Sequence, residues 1–94
     1  MENNVKSILS QYGITDEDYE EILTICPSLE FVDDSRVLKN ISLLEQFGFP
    51  SFDIDSLILT NPDFLLNNPD DLAKVLVTLG TNIESKLKEN PFLI

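Results

Sequence analysis

Gly13, Gly48 and Gly80 are the only three glycines in a chain of 94 residues, and each opens a similar stretch of sequence. A shift of 35 residues places Gly13 on Gly48, Pro27 on Pro62 and Leu9 on Leu44. It also carries Tyr19, Ile22 and Leu23 onto Ile54, Leu57 and Ile58, and Leu29, Val37 and Ile41 onto Phe64, Leu72 and Leu76. A third, shorter copy is anchored on Pro91, with Ile83 and Leu87 matching Ile54 and Ile58. Breakers and apolar positions that recur in phase are the signature of a repeat architecture. One such unit cannot hide its apolar face alone, so neighbouring units must stack. The predicted organisation is a single helical-repeat domain over 1–94. It comprises a leading helix over 1–12, repeat one over 13–47, repeat two over 48–79 and a partial repeat three over 80–94.

Within each unit the signals are helical. "TDEDYEEILTI" opens with Thr15 and, three residues on, Asp18, the pattern of a capping box. Tyr19, Ile22, Leu23 and Cys26 then fall on one helical face. "DDSRVLKNISLLEQFG" carries Val37, Ile41 and Leu44 on one stripe, with Leu38 and Phe47 at its edges, and ends at Gly48. "SFDIDSLILTN" opens at Ser51 and aligns Ile54, Leu57 and Ile58, while "TNIESKLKEN" restarts at Thr81 with Glu84 three residues later. Asn-Pro-Asp occurs twice, at 61–63 and 68–70. Pro62 disfavours helix at Asn61, so the first copy ends a helix. In the second, Asn68 can cap, Pro69 suits the first helical position, and Asp70 and Asp71 favour the positive end of the dipole. Leu72, Val75, Leu76 and Leu79 give the face of that helix.

The expected fold is all-α, a short α-solenoid of helix–Pro corner–helix repeats with a period near 35 residues and five to six helices. Boundaries are predicted near 4–12, 15–26, 34–47, 51–61, 69–79 and 81–89. Leu23, Ile41, Leu44, Ile54, Ile58, Leu72 and Leu76 are predicted core, and Leu29, Phe64 and Leu93 are expected to turn inward at the corners. Phe92, Leu93 and Ile94 are expected to fold back against Leu76, Leu79 and Leu87, the other outcome being an apolar patch at the open end of the stack.

Composition limits the function. Seventeen acidic residues against six basic ones give a net charge of −11, which opposes general attraction to nucleic acid or anionic lipid. No apolar run approaches the ~20 residues of a membrane span. The acidic first residues lack a signal or transit pattern, which points to a cytoplasmic protein. There is no histidine, no glycine-rich phosphate loop and no nucleophile motif, so no catalytic residue, cofactor or metal is predicted. Asp53 with Asp55 and Asp70 with Asp71 sit at spacings that do not face each other on a helix, and capping explains them. Cys26 reads as a small buried hydrophobe beside Pro27.

"YGITDEDYEEILTICPSL", "FGFPSFDIDSLILTNPDFL" and "LGTNIESKLKENPFL" resemble the repeats of the mitochondrial transcription termination factor (mTERF) family. The likeness runs from Leu9 to Leu93, through a leucine-rich helix end and Gly, an acidic-capped helix, Pro-x-Leu and a second helix. It implies a curved array in which each unit has two α-helices and a short 3₁₀ turn. It also implies binding of duplex DNA or RNA along a basic concave surface, in transcription or ribosome assembly. The residues available for such a track are Arg36, Lys39, Lys74, Lys86 and Lys88. Lys39 and Lys74 each lie twelve residues past the proline of their unit. Six cations against seventeen acids favour another reading first: a monomeric, non-enzymatic repeat module that binds another protein through its curved surface. A further alternative is an acidic mimic of nucleic acid that occupies a basic groove of a partner.

Overall fold

The computed structural model describes residues 4–94, and among these the chain is all-helical, with no strand. A leading helix α1 (Val5–Ser10) precedes repeat one, which consists of α2 (Asp16–Ile25), a 3₁₀ turn η1 (Pro27–Glu30) and α3 (Asp34–Gln46). Repeat two follows the same order. A short 3₁₀ turn η2 (Ser51–Asp53) leads into α4 (Ile54–Thr60), then come η3 (Pro62–Leu66) and α5 (Pro69–Leu79). The last unit has α6 (Ile83–Glu89) and η4 (Pro91–Leu93). The part of the leading segment at 1–3 lies outside the described residues.

Repeats one and two begin with the same turn. Gly13 has φ +95° and Gly48 has φ +100°, a left-handed conformation that costs a residue with a Cβ ~1–2 kcal/mol. Past each glycine, the Ile14 amide donates to the Leu9 carbonyl at 3.2 Å and the Phe49 amide to the Leu44 carbonyl at 2.9 Å. This back-bonding occupies carbonyls that the helix end would leave orphaned. Ile14 and Phe49 are buried, so the turn also delivers an apolar residue to the core. Thr15 and Asp18 form the expected capping box at 3.1 and 3.2 Å. Asp33 caps α3 through the Ser35 amide, and Asn68 caps α5 through the Asp70 amide at 2.9 Å.

The two Asn-Pro-Asp copies part ways at the asparagine. Asn68 turns its side-chain oxygen onto its own helix, and Pro69 starts α5. Asn61 makes no cap; its amide reaches the Pro91 carbonyl at 2.9 Å and the Ile94 carbonyl at 3.4 Å, and Pro62 starts a 3₁₀ turn. Pro27, Pro62 and Pro91 all open 3₁₀ turns directly behind a helix end.

Three boundaries differ from expectation. The segment 51–61 divides, because the Ser51 hydroxyl donates to Glu45 Oε2 instead of capping, and regular α-helix starts at Ile54. The last helix starts at Ile83, not Thr81. Gly80 (φ +74°) and Asn82 (φ +62°) both take positive φ, and α6 has no side-chain cap. Helix α1 ends at Ser10, and Gln11 to Gly13 form the turn.

One apolar cluster runs through the repeats, with α1 packed on α2 and α3, α3 on α5 and η3, and α6 on α5. Ile41, Leu44, Ile54, Ile58, Leu72 and Leu76 are buried in it, as are Leu29 and Phe64 at the corners. Leu23 is only half-buried against the cluster, and Val75 is exposed on α5. At the last corner Leu93 and Phe92 stay exposed, against expectation, and Ile94 alone of the last three residues packs on the core.

Two buried asparagines fasten one unit to the next. Asn61 ties α4 to η4, as above. Asn40 on α3 directs its amide at three carbonyls of repeat two: Phe64 at 3.1 Å, Leu65 at 3.2 Å and Asn67 at 2.8 Å. Its Oδ1 is buried and accepts no hydrogen bond from the described residues. A flipped amide would set oxygen against three acceptors, so the orientation is fixed by its partners. Cys26 occupies the position of Asn61 in repeat one and lies beside Asp63 of η3. Stacking of this kind gives a molecule 38 Å long and 22 by 20 Å across, consistent with a short solenoid.

Candidate functional site

Most of the acid within the helices lies on the first helix of each unit, although α3 also has Asp34 and Glu45, α5 has Asp70 and Asp71, and α6 has Lys86 and Lys88. First helices carry Asp16, Glu17, Asp18, Glu20 and Glu21 on α2, Asp55 on α4, and Glu84 and Glu89 on α6. Second helices carry Arg36 and Lys39 on α3 and Lys74 on α5, two helices that pack against each other. The Arg36 guanidinium donates to the Leu66 carbonyl at 3.2 Å. Lys39 and Lys74 are exposed and make no ion pair among the described residues.

The remaining candidates belong elsewhere. Lys86 donates to the Leu79 carbonyl, at the end of α5 where cations are favoured. Lys88 lies 2.8 Å from Asp53 Oδ2 and 2.7 Å from Glu84 Oε2, and its hydrogen bonds to both carboxylates, Asp53 first, raise its pKa. Arg36, Lys39 and Lys74 are carried by the two packed second helices, whereas Lys86 and Lys88 are engaged within the fold.

The Lys88–Asp53 pair lines a cleft of about 230 Å³ formed by α4, α6 and the two turns beside them. Phe49, Leu57, Leu87 and Pro91 give it apolar walls, and Ser56 and Thr60 add two hydroxyl-bearing side chains from α4. Asp53 Oδ2 is shielded from solvent there, with Lys88 as its counter-ion. Periodicity does not reveal this place. Asp53 and Lys88 lie 35 residues apart in different units, and the sequence assigns Asp53 only a helix-start duty.

Other titratable groups serve the packing. Burial pushes the Cys26 thiol up to about 11, with the neighbouring Asp63 carboxylate adding to the effect. Burial and then Glu45 raise the Tyr12 phenol, which donates to Glu45 Oε1 at 3.2 Å. Among the described residues no group of three or more Cys, Asp or Glu side chains is placed to hold a metal ion. No described helix is long and apolar enough to cross a membrane. In comparisons with known proteins, no family model, no curated protein and no solved structure matches this chain.

Proposed function

We propose that this chain is a non-enzymatic helical-repeat module that binds another protein through its surface. The observation that supports this reading is the placement of phenylalanine. Of six in the chain, Phe31, Phe52 and Phe92 are 84, 82 and 66 % exposed. All three lie in or directly after a 3₁₀ turn. Burying one such side chain is worth ~1.5–3 kcal/mol, a gain this fold forgoes three times. Aromatic anchors of this kind carry much of the binding energy at protein interfaces. Immobilised protein should retain a polypeptide from cell extract that the Phe31→Ser, Phe52→Ser, Phe92→Ser triple variant releases, with the unfolding midpoint unchanged. Equal retention by both proteins would refute the reading.

Nucleic-acid binding of the kind the mTERF resemblance implies is the second reading. Lys39 and Lys74 favour it, being exposed, unpaired among the described residues and carried by adjacent helices. Three cations release few counterions, and a net charge of −11 repels the phosphates. The isolated chain should not retard duplex DNA at physiological salt. A retarded band at micromolar protein, weakened by Lys39→Glu and by added salt, would put this reading first.

A further inference from the structure

We propose that the cleft between α4 and α6 receives one bulky apolar side chain from a partner segment whose flanking residues are Lys or Arg. The inference rests on the protein-binding reading and names the place and chemistry of that contact. Size is the first argument. At about 230 Å³ the cleft is below the ~300–1,000 Å³ of pockets that enclose drug-sized ligands, so it suits a single side chain better than a whole cofactor.

Lining is the second. Phe49, Leu57 and Leu87 are buried residues of the core that also line the cleft, so their positions are set by packing and the cavity is preformed. Thr60 Oγ donates to the Ser56 carbonyl at 2.9 Å, so this hydroxyl is satisfied within its own helix. An apolar guest therefore need not break a hydrogen bond of Thr60 to enter. Phe52 precedes Asp53 in the chain and Phe92 follows Pro91, and both remain exposed beside these lining residues.

Charge is the third, and it selects the flanks. Lys88 is the one cation shared by Asp53 and Glu84, and the Lys86 ammonium is turned to the Leu79 carbonyl. Two carboxylates share one ammonium at the cleft, and Glu89 on α6 is left without a cationic partner among the described residues, while Asp55 faces the Gly13 turn instead. The carboxylates of Asp53 and Glu84 thus outnumber the Lys88 ammonium between them, within a chain of net charge −11. Such a field draws Lys and Arg toward the cleft and rejects acidic segments.

The test uses random dodecapeptides displayed on phage and panned against the full chain at about 0.15 M salt, where exposed charges act over ~8 Å. Enriched peptides should combine Leu, Phe or Trp with flanking Lys and Arg. Ser56→Trp and, separately, Thr60→Trp fill the cleft from exposed helix positions. Each should weaken a synthetic copy of an enriched peptide about tenfold or more, the scale of losing one anchor. Circular dichroism and the unfolding midpoint show whether each variant is folded, and either one suffices. The Glu84→Gln, Glu89→Gln double variant should flatten the salt dependence of binding. Enriched acidic peptides, or basic ones that bind both tryptophan variants as well as wild type, would overturn the cleft assignment and leave the protein-binding reading standing. A library that yields no binder would overturn both.

Discussion

Asn40 is the polar residue on which two repeats depend. In the sequence it sits three residues after Val37 and four before Leu44, on the apolar stripe of its helix, and that placement is a legible sign of burial. Its partners were not legible, because the three carbonyls it serves lie 24 to 27 residues away in a turn of the next unit. Asn40→Ala strands those buried acceptors and should cost roughly 2–3 kcal/mol in a urea titration. A loss no larger than that of an exposed change such as Gln46→Ala would show that the clamp carries no stability. Cys26 makes a separate point. Its thiol is held up to about 11 from the ordinary 9.0, chiefly by burial and then by Asp63. The folded state therefore keeps a proton that the unfolded state releases, and stability falls as pH rises. The contribution is complete below about pH 9 and disappears toward 11, on the order of 2 kcal/mol in all. Cys26→Ala should remove that slope from the unfolding free energy measured between pH 8.5 and 11, leaving the tyrosines to titrate as before.

At the scale of elements, the glycine turns were readable and the helix starts were less so. Leu9 to Ile14 and Leu44 to Phe49 share a leucine, then glycine, then an apolar residue, and both fold into the same back-bonded turn. Gly48 has open space where a Cβ would go, so its substitution tests backbone strain alone. Gly48→Ala should cost ~1–2 kcal/mol, and Gly48→Asn less, since Asn tolerates the left-handed region. If both variants unfold at the wild-type urea concentration, the positive φ is not required. The start near Ser51 was misread because its hydroxyl binds Glu45, the carboxylate that also accepts from Tyr12. That bond joins η2 to α3 beside the turn that follows α1, and it leaves no mark in local spacing. Thr81 with Glu84 repeats the letters of a cap, yet the left-handed Asn82 intervenes and the helix begins without one. Thr15 with Asp18, written the same way, does cap.

For the molecule as a whole, the 35-residue shift made the stacking legible, down to Leu29 and Phe64 at equivalent buried corners. It did not disclose the cleft, which forms between units and joins Asp53 to Lys88. Nor did it anticipate that Ile94 alone of the last three residues would pack on the core. The clamps have a further consequence, for the order in which the protein comes apart. Repeat one reaches forward through both Asn40 and Cys26, whereas α6 and η4 are held to repeat two through the single side chain of Asn61 and the Lys86 and Lys88 contacts. Opening should therefore peel from α6 and η4 inward and not occur everywhere at once, as quasi-one-dimensional stacks allow. Deuterium should enter the amides of α6 earliest and those of α3 and α5 last. Asn61→Ala should widen that gap, speeding exchange in α6 while α2 and α3 keep wild-type protection. Uniform exchange rates across all helices would mean that these units melt as one block, with the asparagine amides setting register instead of sequence.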